Sequence, residues 1–335
     1  MKKYSMNILY VSNTKANWAL NDFDLLAKHF EITDNFVCSL SSSIKSMNPL
    51  FIIRYDVVIF WFASLSFFPI LLVSWILRKK IIIIAGGYDV VKVPSIKYGA
   101  FLESWPKKLI RKFMFKVSDI VVSVSYSNQH EALENVKVPK SKSVMIYHGF
   151  KKNQPPLKNF QERKRQLVTI GAITNENYLR KGHKYFLELA QRMPDWNFIL
   201  IGKVSSDFRH LKEFQNCQNL CMLGFLPDSK FNEILNESKF YLQLSTHEGF
   251  GCSIVDAALM GCYPIVYDQY AMPEVVEGCG KIIKYLDLSS VEIAISELEN
   301  IDLKVESIRS YYLDKFPEKI REEKLVKLIS SFYEI

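Results

Sequence analysis

The chain is long enough for two domains of ordinary size, since it has 335 residues, of which 49% are hydrophobic and 23% are charged. That composition excludes an intrinsically disordered chain and is typical of a globular enzyme. The net charge of +8 is uneven, because residues 1–150 carry 19 Lys and Arg against 10 Asp and Glu, whereas residues 151–335 carry 24 against 25. An anionic partner of the first half and solubility alone are both open explanations.

The first half of the chain alternates segments typical of strands and of helices. In chain order, strands are predicted over 7–12, 56–62, 81–87, 119–125 and 142–150, and helices over 21–30, 106–118 and 128–136. Short apolar strands that alternate with helices indicate a doubly wound parallel sheet. We therefore predict a Rossmann-like domain over residues 1–150.

An uncharged run at 57–77 is long enough for a transmembrane helix. Ser64, Ser66 and Pro69 interrupt the run, and another apolar segment follows directly at 81–84. We interpret the run as part of a buried strand–helix–strand unit, because parallel strands that are covered on both faces have continuous apolar sequences.

A polar segment at 151–166, which contains Pro155 and Pro156, is predicted to be a linker. The alternation then resumes, with strands predicted over 167–173, 197–204, 219–226, 239–245 and 263–268, and helices over 182–193, 207–216, 228–238 and 253–262. A second Rossmann-like domain is therefore predicted over 151–318, with an amphipathic helix at about 319–335 that packs back on the first domain. Ligands of such sheets bind beyond the carboxyl ends of the strands, so we expect a ligand cleft between the two domains.

The segment "THEGFGCSIVD" places two carboxylates around a glycine turn. Glu248 and Asp256 lie eight positions apart, with Gly249 and Gly251 between them and a helix expected to begin near Cys252. Glycine lets the backbone approach a ligand closely, and the N-terminus of a helix attracts phosphate. Carboxylates accept hydrogen bonds from sugar hydroxyls. The pattern favours a nucleotide-sugar site, and a chance pair of acids around a connecting turn is the alternative.

The same stretch, "STHEGFGCSIVDAALMGCYPIV", resembles the E-x7-E signature of family 4 retaining glycosyltransferases. The upstream segments "LVTIGAI", "RKG", "NFILIG" and "NLCMLGFL" follow the order found in that family, so the resemblance covers about residues 142–285. It implies the GT-B fold, in which two Rossmann-like domains face each other. It also implies sugar transfer from a nucleoside diphosphate sugar to a glycan or lipid-linked acceptor, with retention, in surface polysaccharide or glycoconjugate assembly.

The resemblance also implies roles for individual residues. Glu248 would contact the donor sugar, and Lys181 would neutralise the diphosphate leaving group. Asp256, which stands in place of a second glutamate, would bind the ribose hydroxyls. Further contacts with the sugar, the diphosphate and the base would come from Gly249, Phe250, Gly251, Cys252, Ser253, Gly224 and Phe225.

The chain departs from the family pattern at the end of the strand predicted over 167–173. Many members have arginine directly after the glycine that corresponds to Gly171, whereas this chain has Ala172. Arg180, beside Lys181, is a candidate for the missing cation on the diphosphate, and an exposed arginine in a basic loop is the alternative. The glycine pair that usually follows the first strand is also absent, which leaves the acceptor loop there without an assignment.

On the acceptor side, Asp89 is the best candidate for an acid. It follows Gly86 and Gly87 after a predicted buried strand, where the family often has His-Asp or His-Gly. An aspartate that only caps the following turn is the alternative. His148 is expected to be structural. His247, next to the first acid of the motif, is equally consistent with a solvent-facing residue and with a sugar contact.

No metal and no cofactor are expected. The six cysteines have no zinc-like spacing, and no D-x-D follows a strand. The departing diphosphate would instead be stabilised by Lys181 and by the helix N-terminus at 251–253. Reduced cysteines and an N-terminus without a signal-like apolar run predict a cytoplasmic protein. Nucleic acid is not an expected partner, because no recognised binding module is present.

Two interpretations of the basic first half stay open, and so do two rival functions. The helix predicted over 106–118 carries cations opposite an apolar side, and further cations precede the strand at 81–87; the set is Lys107, Lys108, Arg111, Lys112 and Lys116 with Arg78, Lys79 and Lys80. Such a surface is typical either of peripheral contact with an anionic membrane, here the inner face of the cell membrane, or of a sheet-packed helix with a solvated face. The rival functions are a nucleotide-sugar epimerase of the same architecture and a non-catalytic nucleotide-sugar-binding subunit.

Overall fold

The computed structural model describes residues 6–152, 155–210, 212 and 217–332. The chain divides into two compact units. The first unit holds the residues up to Gly149 together with those from Glu318 onward, and the second unit holds Phe150–Pro317. These ranges differ by one residue from the predicted 1–150 and 151–318.

The first unit is built on a parallel sheet. Its strands β1 to β6 are, in chain order, Asn7–Ser12, Glu31–Phe36, Val57–Trp61, Lys80–Ala85, Ile120–Ser123 and Ser143–Met145. Within the described residues their spatial order is β2-β1-β3-β4-β5-β6, and all neighbouring strands are parallel. β3 is buried along its whole length, as expected of a central strand in a parallel sheet.

Helices connect these strands. Helices α1 to α6 are Asn17–Ala27, Leu40–Ser46, Pro49–Ile52, Phe68–Ile76, Trp105–Val117 and Tyr126–Glu131. Pro69 and Pro106 lie in the first turns of α4 and α5, where the missing N–H costs nothing. Ser39 and Ser125 are the N-terminal caps of α2 and α6, because each side chain accepts a hydrogen bond from a first-turn N–H group.

The second unit repeats this architecture. Its strands β7 to β12 are Lys164–Ile170, Asn197–Ile201, Leu220–Leu223, Ser238–Gln243, Tyr263–Tyr267 and Lys281–Ile283. Across the described part of the chain their order is β12-β11-β10-β7-β8-β9, again all parallel. Helices α7 to α13 are Asn175–Arg180, His183–Arg192, Asp228–Glu237, Cys252–Leu259, Ala271–Val276, Leu288–Glu299 and Val305–Lys315. The prediction of two Rossmann-like domains is confirmed.

The C-terminal helix α14, Glu318–Ser330, belongs to the first unit. Its Arg321 is fully buried and forms an ion pair with Asp22 of α1, with 2.6 Å between Nη2 and Oδ2. Arg321 also donates to the backbone carbonyl of Tyr147, and the indole N–H of Trp61 donates to Asp22. A buried ion pair is tolerated when further hydrogen bonds satisfy both partners, and here both partners have them.

The elements that were not predicted are β2, α2, α3, α7, α11, β12, α12 and α13. β2 is the edge strand and is mostly exposed, and its sequence, EITDNF, has only two apolar residues, which is too few for a strand signal. Five of the ten residues of the helix predicted over 207–216 lie outside the described ranges. Its described beginning, residues 207–210, forms turns.

The apolar run at 57–77 forms β3 and α4, with β4 following, as predicted. Of the described residues, no helix is both long enough and apolar enough to cross a membrane. The prediction that the run is buried was wrong for its last residues, since Trp75 is 47% and Ile76 is 64% exposed. α4 is apolar on every side, whereas its buried residues, Ile70, Leu71 and Ser74, mark the single face that the unit covers.

Candidate active site

The residues of the glycine-turn motif lie at the carboxyl ends of two neighbouring strands of the second unit. β7 pairs with β10 in parallel, so both strands end at the same edge of the sheet. Gly171 follows the last residue of β7, and Glu248 lies in the turn after β10. Helix α10 begins at Cys252, as the motif predicted. The loop after α7 also reaches this edge, because the N–H of Thr246 donates to the carbonyl of Arg180 over 2.7 Å.

An ion pair joins two of the predicted catalytic residues. Lys181 Nζ lies 2.9 Å from Glu248 Oε1, and both side chains are mostly buried. Arg180 Nη1 lies 3.7 Å from the same oxygen and donates to the backbone carbonyl of His247. The alternative of an exposed Arg180 is wrong, since its side chain is mostly buried beside Glu248. The three charged groups form one cluster, although Lys181 and Glu248 are 67 residues apart in sequence.

Three polar residues of β10 and its end support Glu248. Its Oε1 accepts hydrogen bonds from Gln243 Nε2 over 3.1 Å and from Ser245 Oγ over 3.0 Å. The hydroxyl of Tyr241 donates to Gln243 Oε1, and Gln243 Nε2 also donates to Ser245. Tyr241, Gln243 and Ser245 alternate, so they share one face of the strand. They were not predicted, and polar side chains at every second position of an apolar strand are the signal that identifies them.

The cluster keeps Glu248 ionised and its neighbouring histidine neutral. Burial by itself raises the pKa of the Glu248 carboxyl, but Lys181 and Arg180 outweigh burial and hold that pKa at about 2. His183 is fully buried at the start of α8, and burial followed by repulsion from Lys181 lowers its pKa to about 3. Neither ring nitrogen of His183 has a hydrogen-bond partner within the described residues. Lys181 and Arg180 therefore supply positive charge directly beside Glu248.

The glycine turn leads into α10 through a conformation that requires glycine. Gly251 has a φ of 97°, in the left-handed region, and precedes the first residue of the helix. The first-turn N–H groups, those of Cys252 and Ser253, lie at the positive end of the helix dipole. The side chain of Phe250 is buried against Phe316, with ring centroids 5.2 Å apart, so Phe250 and its glycine neighbour Gly249 offer backbone rather than ring atoms to a ligand.

The second acid of the motif has a different environment from the first. Asp256 lies in the second turn of α10 and is half-buried. Burial, with a smaller contribution from Asp228, raises the pKa of Asp256 to about 7. Tyr241 lies near both acids, since Glu248 and Asp256 both add to the effect of burial in raising the pKa of Tyr241. Ser253 also hydrogen-bonds the hydroxyl of Tyr241, which links the start of α10 to the strand.

The glycines at the ends of β7 and β9 differ in what surrounds them. A β-carbon on Gly171 would lie 2.5 Å from Cδ of Lys181, so only glycine lets that side chain cross the end of β7. A β-carbon on Gly224 would meet no atom within 4 Å. Phe225, which follows Gly224, is 93% exposed. The predicted base-pocket residues therefore lie on the surface at the end of β9, and their role in base binding stays a prediction.

Asp89 is buried in the first unit. Its Oδ2 accepts the N–H of Ala63 over 3.0 Å, and its Oδ1 accepts the N–H groups of Gly86 and Gly87 over 3.2 and 3.1 Å. This geometry matches the alternative of an aspartate that caps a turn, and burial raises the pKa of its carboxyl. Its role as an acceptor-side acid stays a prediction.

The two histidines of open role are both buried. His148 stacks on Trp61, with ring centroids 5.9 Å apart, and burial holds its pKa well below the usual value. This placement fits the expected structural role. His247 is not solvent-facing, because it is buried with its ring 4.4 Å from that of Tyr270. Tyr270 was not predicted, and its φ of 51° places it in the left-handed region. In the described part of the chain no three His, Cys, Asp or Glu side chains are grouped to hold a metal ion.

The fold is shared with a structurally characterised protein that binds a nucleotide and a sugar. The crystal structure of HepE from Anabaena in complex with UDP and glucose superposes with a TM-score of 0.76, covering 97% of this chain and 100% of that one at 14% identity. At that identity the likeness shows the fold, and it confirms the predicted GT-B class.

The site segment matches a known protein family. Residues 150–283 match the family model of glycosyl transferases group 1, and they include Lys181, Glu248 and Asp256. The match covers 134 of the 335 residues, and over this segment it confirms the resemblance drawn from the motif.

Curated relatives match over part of their length. The chain is 20% identical over 178 residues to the O-antigen biosynthesis glycosyltransferase WbnH of Escherichia coli, which covers 52% of this chain and 49% of that protein. It is 30% identical over 83 residues to the GDP-mannose:cellobiosyl-diphosphopolyprenol alpha-mannosyltransferase of Xanthomonas oryzae pv. oryzae (strain PXO99A), which covers 23% and 22%. The chain therefore spans half or less of the length of these relatives.

Proposed function

We propose that this protein is a retaining glycosyltransferase. It moves a sugar from a nucleoside diphosphate sugar to a glycan or lipid-linked acceptor. The observation that carries the proposal is the ion pair of Lys181 and Glu248 beside the start of α10, within the segment that matches the glycosyl transferases group 1 family.

The cations of the site suit the step in which the sugar leaves the diphosphate. The barrier to C–O cleavage falls when developing negative charge on the leaving group is stabilised by fixed donors. Lys181 has three N–H donors, of which Glu248 occupies one, so the others are available to phosphate oxygens. Arg180 and the first N–H groups of α10 add further positive potential. Glu248 holds Lys181 in place and offers its second oxygen, Oε2, to a sugar hydroxyl.

Asp256 is proposed to bind the ribose. With a pKa of about 7 it is partly ionised near neutral pH, and only the ionised carboxylate accepts hydrogen bonds from two hydroxyls at both oxygens. Its side chain is one methylene shorter than the glutamate of the family pattern. Phe225, at the end of the edge strand β9, is proposed to contact the base.

The activities given in the names of the related proteins support the proposal for the acceptor. The relatives act in O-antigen biosynthesis and on a diphosphopolyprenol-linked sugar. A glycan or lipid-linked acceptor at the cytoplasmic face of a membrane, in polysaccharide assembly, is the proposed counterpart here. No metal or cofactor takes part in the proposed reaction.

A donor panel tests the proposal. The full chain is incubated with UDP- and GDP-sugars, with and without bacterial lipid extract, and the released nucleoside diphosphate is measured. We expect release with at least one donor, and a loss of about 100-fold in Lys181→Ala. The matched control is Lys184→Ala, because the Lys184 side chain is 41% exposed and pairs with Glu188 at 3.9 Å, not with Glu248. No release with any donor would refute the proposal.

Product analysis separates retention from the rival functions. NMR of the product from an α-configured donor is expected to show an α-linkage. A β-linked product would contradict retention. An epimerised donor that forms without any acceptor would instead identify an epimerase.

A further inference from the structure

Large apolar side chains are exposed along three neighbouring helices of the first unit. Leu50 of α3, Ile76 of α4 and Trp105 of α5 are 79%, 64% and 70% exposed. Ile53, Trp75 and Leu109 on the same helices are about half exposed. We call these six residues the apolar strip. Single exposed apolar residues are ordinary, whereas a connected group of them marks an interaction surface.

Contacts between the helices make the strip continuous. α4 packs against both α3 and α5. At one end, Lys79 Nζ donates to the backbone carbonyl of Ile53 over 2.8 Å, which joins the end of α3 to the end of α4. At the other, the ring of Trp75 lies edge-on to Phe113 at 5.5 Å. Phe113 is one helical turn after Leu109, and Leu109 is one turn after Trp105.

Positive charge surrounds the strip. Besides Lys80 and Arg111, the cations on and next to these helices are Arg54, Arg78, Lys79, Lys107, Lys108, Lys112 and Lys116. Within the described ranges none of these seven lies within ion-pair distance of a carboxylate. Of the neighbouring acids, Glu103 binds Arg111 and also attracts Lys107, and Asp119 pairs with Lys80.

A depression of about 420 Å³ opens beside the strip. Lys92, Lys108 and Lys112 line it together with Trp105 and Leu109 of the strip. The carboxylate in its lining, Glu134, is paired with Lys137 at 3.4 Å. Ammonium groups beside exposed Trp and Leu suit a ligand that has a phosphate next to a hydrocarbon chain.

We propose that the apolar strip and this depression dock the protein on an anionic phospholipid bilayer. Trp105, Leu109 and Ile76 enter the interface between headgroups and acyl chains, and the lysines of the depression hold a lipid phosphate. Charge complementarity selects this occupant. A second copy of the chain would bring the same cations against each other, and a nucleic acid would leave the apolar strip in water.

The proposed docking surface would bring the enzyme to a lipid-linked acceptor. The inference rests on the proposed function only for this biological purpose. The depression includes Lys92, which follows Asp89 by three positions in the loop after β4. That loop leaves the carboxyl end of the first sheet, the edge at which α/β proteins bind ligands. Membrane binding can succeed or fail independently of glycosyl transfer, so the two proposals are tested apart.

The test is co-sedimentation of the full chain with phospholipid vesicles. We expect binding to vesicles of phosphatidylcholine mixed with phosphatidylglycerol, weak binding to phosphatidylcholine alone, and weakening with rising salt. Ile76→Ser with Trp105→Ser should reduce the partition coefficient by at least about tenfold. Lys108→Glu with Lys112→Glu should reduce it by at least about 25-fold, since each of the two basic residues contributes about fivefold near an anionic surface.

Matched controls come from the second unit, which has nearly balanced charge. Tyr285→Ser with Ile293→Ser removes exposed apolar side chains of similar size, and we expect unchanged vesicle binding. The substituted residues are exposed, except Lys108, which is partly exposed, so unfolding temperatures and donor hydrolysis without vesicles should match the wild type.

Equal vesicle binding by the strip variants and the wild type would overturn the inference. So would an absence of vesicle binding by the wild type. If the wild type does not bind vesicles but binds nucleic acid or itself, and the strip variants abolish that binding, the surface would be assigned to that partner instead.

Discussion

The carboxyl ends of the two sheets hold their acids in different ways. In the second unit, Glu248 is held by side chains, namely those of Lys181, Gln243 and Ser245. In the first unit, Asp89 follows β4 and is held by backbone N–H groups of its own turn and of the turn after β3. Asp89 is buried and Glu248 is mostly buried, but only Glu248 is held by side-chain donors.

The difference separates the tasks of the two units. A lysine that pairs with a carboxylate through one N–H group keeps its other N–H groups for a phosphate. A carboxylate that accepts hydrogen bonds from backbone N–H groups, in contrast, can move away only if its loop is disrupted. We therefore expect the second unit to bind the sugar donor. The first unit is distinguished by the surface of α3, α4 and α5, where positively charged side chains accompany exposed apolar side chains.

The largest expected effect is that of Glu248→Gln. Glutamine keeps the size of the side chain but removes the charge that fixes Lys181, and it leaves a mostly buried ammonium without its carboxylate. We expect kcat for nucleoside diphosphate release to fall about 10²–10³-fold. Glu188→Gln, which changes a partly exposed glutamate of α8, is the control. A loss below threefold would remove the ion pair from the reaction.

A smaller effect is expected from Gly171→Ala. The new methyl group would lie 2.5 Å from Cδ of Lys181, and that flexible side chain would have to move while the backbone stays in place. We expect about a tenfold lower kcat, because small displacements of a charged group weaken transition-state stabilisation, with little change in unfolding temperature. Gly224→Ala is the comparison variant, since its methyl group meets nothing within 4 Å, and because Gly224 is a predicted base contact both variants are compared at saturating donor. Equal activity in both variants would mean that the path of Lys181 is unimportant.

The fold was largely predictable because parallel sheets have a strong sequence signal. Buried strands such as β3 and β4 are continuous apolar runs. The glycine turn before α10 predicted that this helix begins near Cys252, where it does begin. The polar edge strand β2 lacked that signal. Helix α4 shows a different limit, because its sequence is apolar on every side and only packing decides that Trp75 is exposed.

The site was predictable in part. The roles of Glu248 and Lys181 came from resemblance to a family, since no periodicity joins residues so far apart in sequence. The hydrogen bonds of Gln243 and Ser245 depend on which face of β10 is turned toward the charged cluster. The bond from Ala63 to Asp89 joins the ends of two strands, and such a contact exists only once the sheet has formed.

A moderate effect is expected from pH on donor binding. Asp256 has a pKa of about 7, whereas Glu248 at about 2 and His183 at about 3 do not titrate between pH 6 and pH 8. If the ribose hydroxyls donate to the ionised acid, as proposed, donor affinity should rise as pH rises through about 7, by about fivefold in total. Asp256→Asn should flatten the profile. Calorimetric titration with the preferred donor measures both, and a profile that is equally steep in the variant would contradict the assignment.

The smallest effect on rate is expected from Asp89→Asn. The asparagine amide nitrogen cannot accept a hydrogen bond, so at least one of the N–H groups of Ala63, Gly86 and Gly87 would lose its partner. An unsatisfied buried group costs about 1–3 kcal/mol, so the unfolding temperature should fall by several degrees. The rate should stay within about threefold if the carboxylate only holds the turn, because no reacting group then depends on its charge. A loss of rate comparable to that of Glu248→Gln, at an unchanged unfolding temperature, would instead make Asp89 an acceptor-side acid and would place chemistry at the ends of both sheets.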